Sequence, residues 1–135
     1  MDAREYLSQA FVLSRHIKAK EFQLKTLKDV VPYTGPQYGD VKIDTNMRGS
    51  AVENAALTVI ALSREINNDI VKLSKLMDEI RHTISRVGNS EVENVLVLRY
   101  ISFKSWSEMV SILGYSDSHV FRLHRLGLKK VAALI

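Results

Sequence analysis

Ser118, His119 and Arg122 are the residues of this chain best suited to chemistry. They sit in the first turns of a C-terminal segment, Asp117-Ser-His-Val-Phe-Arg-Leu-His-Arg-Leu-Gly-Leu-Lys-Lys-Val131. Each can meet the edge of a nucleobase. An arginine fork matches guanine O6 and N7, and a hydroxyl or an imidazole can donate or accept. Arg125, Lys129 and Lys130 follow, Lys104 precedes them, and no acid lies beyond Asp117. Cations so placed suit phosphate oxygens, which fix position rather than read sequence. Asp117 repels phosphate, but it also favours a helix N-terminus and could accept from cytosine N4.

A basic helix face by itself usually means only a solvated face. Spacing adds the information. Glu91-Val-Glu-Asn-Val-Leu-Val-Leu-Arg-Tyr100 reads as one helix, Ser105-Trp-Ser-Glu108 opens a second, and Leu113-Gly-Tyr-Ser116 is a tight turn before a third. Gly114 lets the chain reverse without a Cβ clash. That order is a helix-turn-helix, whose last helix enters the major groove. Val95, Leu98, Val110, Leu113, Val120, Leu123 and Leu128 have the spacing of its small core. Trp106, first in an amphipathic helix, reads as core rather than as a stacking platform, and Phe121 lies at the edge of the reading face.

Other chemistry finds no residues. There is no cysteine, so disulfides, thiolate metal sites and thiol nucleophiles are excluded. His16 and His82 are isolated. His119 and His124 are five apart and face different ways, unlike an i, i+4 metal pair. No HExxH, Walker A, GxGxxG or GxSxG pattern occurs. Glu65 with Asp69, and Asp78 with Glu79, read as solvated helix charges. The expectation is a non-enzymatic protein with no catalytic residue, no metal and no cofactor.

The elements that must position the tail are helical. Tyr6, Ala10, Leu13, Ile17, Leu24, Leu27 and Val31 recur at helical spacing, with Lys20 in the same seam and Phe11 and Phe22 widening it. This predicts a helix over 2–31, stopped by Pro32. Residues 32–49 hold both prolines and Tyr33 and Tyr38 and read as a long loop, with a brief extended segment at Val41 and Ile43. Ser50 with Glu53 predicts the cap of a second helix, whose apolar seam runs from Val52 through Leu57, Ile66 and Ile70 to Val87. Gly88-Asn89 ends it, Ser90 with Glu93 caps the third helix, Ser105 with Glu108 the fourth, and Ser116 the fifth.

The expected fold is all-α: a long antiparallel helical hairpin over 1–88, then a tri-helical helix-turn-helix over 89–135. A lone two-helix hairpin leaves apolar surface bare, so a homodimer is expected. The 135 residues are 46% hydrophobic and 25% charged, which is enough for a core and typical of a soluble protein. The net charge of +4 is mild, and its concentration in the tail says more about a polyanionic partner. No signal peptide or membrane-length apolar run is visible, so a cytoplasmic protein without membrane contact is expected.

Arg99-Tyr100, Ser105-Trp-Ser-Glu108, Leu113-Gly-Tyr-Ser116, Val120-Phe-Arg-Leu123 and Leu128-Lys-Lys130 together resemble region four of sigma factors. Over nearly its whole length the chain resembles the ArpU and RinA regulators of phages and integrated elements. The matching parts are the opening Met-Asp-Ala-Arg-Glu-Tyr-Leu-Ser-Gln-Ala, the stretch Glu65-Ile-Asn-Asn-Asp-Ile70, and Leu98-Arg-Tyr through His124. The resemblance implies a transcription regulator with DNA contacts at Ser118, His119 and Arg122. Gly127 departs from the alanine common in that motif. Its helix propensity is about 1 kcal/mol poorer, which predicts a bend and a less regular contact from Lys129 and Lys130.

The function expected is a sequence-specific, duplex-DNA-binding transcriptional regulator. Two alternatives share the architecture. One is a packaging protein like the small terminase subunits, although those usually place the DNA-binding unit first. The other is an interaction module that docks on RNA polymerase.

Overall fold

The computed structural model describes residues 1–30 and 45–135, with side chains from residue 49 in the second stretch. The expected stop at Pro32, the extended segment at Val41 and Ile43, and Tyr33 and Tyr38 lie outside the described residues. Among those described there are five helices and no strand: α1 (Ala3–Val30), α2 (Thr45–Ser85), α3 (Ser90–Tyr100), α4 (Trp106–Leu113) and α5 (Asp117–Ala132). The all-α reading is correct. No described helix is long and apolar enough to cross a membrane.

The helix starts show where local chemistry decides. Asp2 and Glu5 cap α1 reciprocally, each accepting the other's backbone N–H, at 2.8 Å onto Asp2 and 3.3 Å onto Glu5. Two expected caps are displaced. α2 begins at Thr45, so Ser50 lies inside the helix and does not cap it. At α3 the cap is Asn89, whose side chain accepts from the Val92 N–H, while Glu93 reaches back to the Gly88 N–H at 3.2 Å. Asn89 is as good an N-cap as serine, and its extended backbone there settles the choice. The Ser105–Glu108 box of α4 and the Ser116 cap of α5 form as expected.

The chain divides into two compact units, Met1–Arg15 with Val71–Ile135, and His16–Ile70. The first takes in both sides of residue 88, because one apolar core spans them. Leu7 and Ala10 of α1 and Ile80 and Ile84 of α2 share that core with Val92, Val95, Leu96, Met109, Val120, Leu123 and Val131. Leu98, Val110, Leu113 and Leu128, expected in the centre, are only partly buried against it. Two contacts in this unit fasten α1 to its neighbours. The Tyr6 hydroxyl meets Thr83 Oγ1 at 2.9 Å, and Phe11 meets Phe103 edge-on at 5.5 Å between centroids.

In the second unit α1 and α2 pair through Ile17, Leu62 and Ile66, all buried. Lys20, the polar member of the apolar seam, donates to Asp69 at 2.6 Å and lies 3.7 Å from Glu65. This corrects the reading of Asp69 as a solvated charge, whereas the Glu65 side chain is 60% exposed, as that reading has it. Asp69 is only 8% exposed and occupies the buried position that Ile70 was expected to hold, while Ile70 is 46% exposed. Phe22, expected in the stripe, is 71% exposed.

Candidate nucleic-acid interface

The turn between α4 and α5 is built from three residues. Gly114 closes α4 in the left-handed region at φ 69°, and its N–H bonds to the Val110 carbonyl. Most side chains there would be strained, so glycine is favoured. Tyr115 packs edge-on against His119, with centroids 4.7 Å apart. Ser116 then caps α5, its Oγ accepting the His119 N–H at 3.2 Å.

Helix α5 packs mainly on α3, and one glycine allows it. A Cβ at Gly127 would lie 2.9 Å from Leu96 Cδ2 and 3.0 Å from Cδ1 and Cγ. The helix continues unbroken through this position to Ala132. The glycine therefore does not end or interrupt α5. Gly127 marks a close approach between helices, and its poorer helix propensity is offset by the packing it permits.

The expected base-reading residues fall on one side of this helix. Ser118 and Arg122 are exposed and His119 is half-buried. The structure brings two of them together: an Arg122 guanidinium N–H donates to His119 Nδ1 at 2.8 Å. Ser118 makes no side-chain hydrogen bond among the described residues. The contact holds the arginine fork against the helix surface and orients it before any ligand arrives.

The expected phosphate contacts are less uniform. Lys104, just before α4, lies 3.8 Å from Glu108 in the first turn of that helix, so its charge is partly matched locally. The same Glu108 carboxyl is held below its ordinary pKa, first by its hydrogen bonds to Ser105 and then by Lys104. Lys129 is exposed, Lys130 half-buried and Arg125 exposed. None of Arg122, Arg125, Lys129 and Lys130 forms an ion pair among the described residues.

Behind this face lies an aromatic and basic cluster that sequence reading did not assemble. Trp106 is half-buried, with Phe121 and His124 each 4.8 Å from it between centroids. Arg99 lies over its ring at 4.6 Å and donates to the Lys104 carbonyl. Trp106 is thus packed on the core, as expected. His124 is buried and bonds through Nε2 to the Tyr100 hydroxyl at 2.6 Å. Burial, then Arg4 and Arg99, press its pKa down from 6.5 to about 4. The one available signal was its spacing: His124 falls one and four residues after Leu123 and Val120, on the buried side of α5.

Among the described residues no group of acidic and histidine side chains is arranged to hold a metal ion. Comparison with protein-family models, with curated proteins and with solved structures finds no match to this chain.

Proposed function

We propose that the protein is a sequence-specific duplex-DNA-binding regulator of transcription, of the kind encoded by phages and integrated elements. The observation that carries this reading is the α4–turn–α5 unit. Its capped second helix presents Ser118, His119 and Arg122 in the first turns and, further along, Arg125 and Lys129, which form no ion pair among the described residues. Helix-turn-helix proteins put base-contacting groups at the start of that helix and let cations follow the phosphates. The resemblance of the same residues to sigma region four supports the same use.

Pairing of two chains fits the second unit. Leu57 is 59% exposed, Ile60 50% and Val71, just beyond the unit, 54%; they recur at helical spacing on α2 and suit a second copy. A homodimer would present two readers to a two-half-site operator.

Selection of bound sequences from random duplexes tests the proposal, followed by affinity measurements over a salt series. The expected result is an enriched motif with affinity falling steeply with salt, by about 0.9 log units per log unit of salt for each phosphate engaged. No enrichment and no binding at low salt would sink it. Ring-sized assemblies in light scattering would favour the packaging alternative.

A further inference from the structure

We infer that the cleft between the first turns of α1 and the α3–α4–α5 unit is a binding site for a small molecule bearing a terminal phosphate. The cleft has a volume of about 410 Å³ and lies wholly within the first compact unit. That is the size of a small-molecule site, commonly about 300–1,000 Å³. Three guanidinium groups line it, Arg4, Arg99 and Arg125, beside the rings of Trp106 and Phe121.

Among the described residues no carboxylate lines the cleft. None of the three arginines forms an ion pair among the described residues. Like charges gathered in a concave site repel, and low-dielectric walls focus their field, so the site favours an anion. The field reaches the cleft wall: Arg4 and Arg99 both act on Tyr100 and His124 in the direction that favours negative charge. Arg99 is already fixed, stacked on Trp106 and tied to the Lys104 carbonyl, so little ordering remains for it on binding.

The chemistry points to a monoester rather than a diester. A terminal phosphate offers three oxygens and close to two charges, and arginine forks engage it in pairs. A backbone phosphodiester offers two free oxygens and one charge. Trp106 and Phe121 add an apolar wall for the organic part of the ligand. Phe121, His124 and Arg125 face the cleft, while Ser118, His119 and Arg122 occupy the adjoining arc of α5. The site lies beside the proposed base-reading face and shares Arg125 with the cations assigned there to phosphate, so Arg4, which only the cleft uses, separates the two in the test.

Calorimetry on the full chain tests this with inorganic phosphate, adenosine monophosphate, its cyclic diester and adenosine, and Trp106 provides a second readout as the single tryptophan. Saturable binding is expected for phosphate and the monophosphate, tighter for the latter, with the cyclic diester weaker and adenosine silent. Arg4→Gln should weaken the monophosphate about tenfold or more, the loss expected for a charge-assisted contact, with an unchanged melting curve. Arg4→Lys should recover part of it. Three results would overturn the proposal: no saturation by phosphate or monophosphate, adenosine binding as tightly as its monophosphate, or an Arg4→Gln variant that binds like the parent. A fourth is duplex DNA losing affinity in Arg4→Gln while both phosphates stay silent, which would assign the cleft to backbone phosphate.

Discussion

Gly127 of α5 lies against the side chain of Leu96 on α3 so closely that a Cβ would come within 2.9 Å of a methyl carbon. Leu96 is fully buried, and close packing around it leaves little room for its side chain to yield. Gly127→Ala should therefore destabilise the chain, although alanine favours the helix by about 1 kcal/mol. Overpacking of a filled core typically costs about 1–3 kcal/mol, so the expected net change is a loss. Thermal denaturation followed by circular dichroism measures it. Combining the change with Leu96→Val should recover part of the loss, because the smaller side chain vacates the contact. A stabilised Gly127→Ala would show that propensity, not packing, governs this position.

Gly127 also shows how far sequence carries. Its helix penalty was legible, and it suggested a bend. The close approach was not legible, because the partner Leu96 lies thirty-one positions away and nothing local encodes their meeting. The same division runs through the fold. The caps at Ser105 and Ser116 and the turn at Gly114 depend on neighbours three or four residues distant, and they formed as read. The buried place of Asp69 depends on Lys20 of the facing helix. Likewise Ser118, His119 and Arg122 could be placed on one side of α5 from periodicity, whereas the cluster of Arg4, Arg99, Trp106 and His124 is assembled from four helices.

His124 gives the protein a pH signature. Its pKa in the folded chain is about 4, against an ordinary value of 6.5. Between those values the unfolded chain takes up a proton that the folded chain refuses. The contribution of His124 to stability is thus complete above about pH 6.5 and is lost as pH falls toward 4, at no more than about 1.4 kcal/mol per unit. With the imidazole neutral, the Tyr100 hydroxyl can donate to Nε2, and burial raises the Tyr100 pKa so that it keeps its proton. Melting temperatures of the parent and His124→Gln should converge as the buffer is taken from pH 7 to pH 4.5. A constant gap across that range would show that His124 does not titrate there.

Lys20 and Asp69 make the second unit sensitive to charge. Their side chains are 19% and 12% exposed and meet at 2.6 Å, and Asp69 holds the Lys20 ammonium above its ordinary pKa. Removing one partner strands the other among Ile17, Leu62 and Ile66. Lys20→Met alone should lower the melting temperature, and the double change Lys20→Met with Asp69→Leu should restore much of it, because well-packed apolar groups often replace a buried pair without loss. If the double variant is less stable than either single one, the pair contributes more than its desolvation removes.

The hydrogen bond from Arg122 to His119 Nδ1, at 2.8 Å, sets two expectations for DNA recognition. If Arg122 reads guanine, Arg122→Ala should cost about 1–3 kcal/mol at the preferred site and flatten preference at one base pair. His119→Ala should leave that preference in place but weaken binding, because the guanidinium then starts disordered and must be fixed on association. Lys129→Ala, by contrast, should weaken all sequences alike and shallow the salt slope by about 0.9, the share of one released phosphate contact. Anisotropy titrations on the selected site and on single-base variants separate the three. An Arg122→Ala protein that lost affinity for every sequence equally would move Arg122 from base reading to backbone contact. The double variant with His119 then decides whether the two act as one group. If the losses add, the hydrogen bond in the free chain has no part in recognition; if the second substitution adds little, His119 works through Arg122.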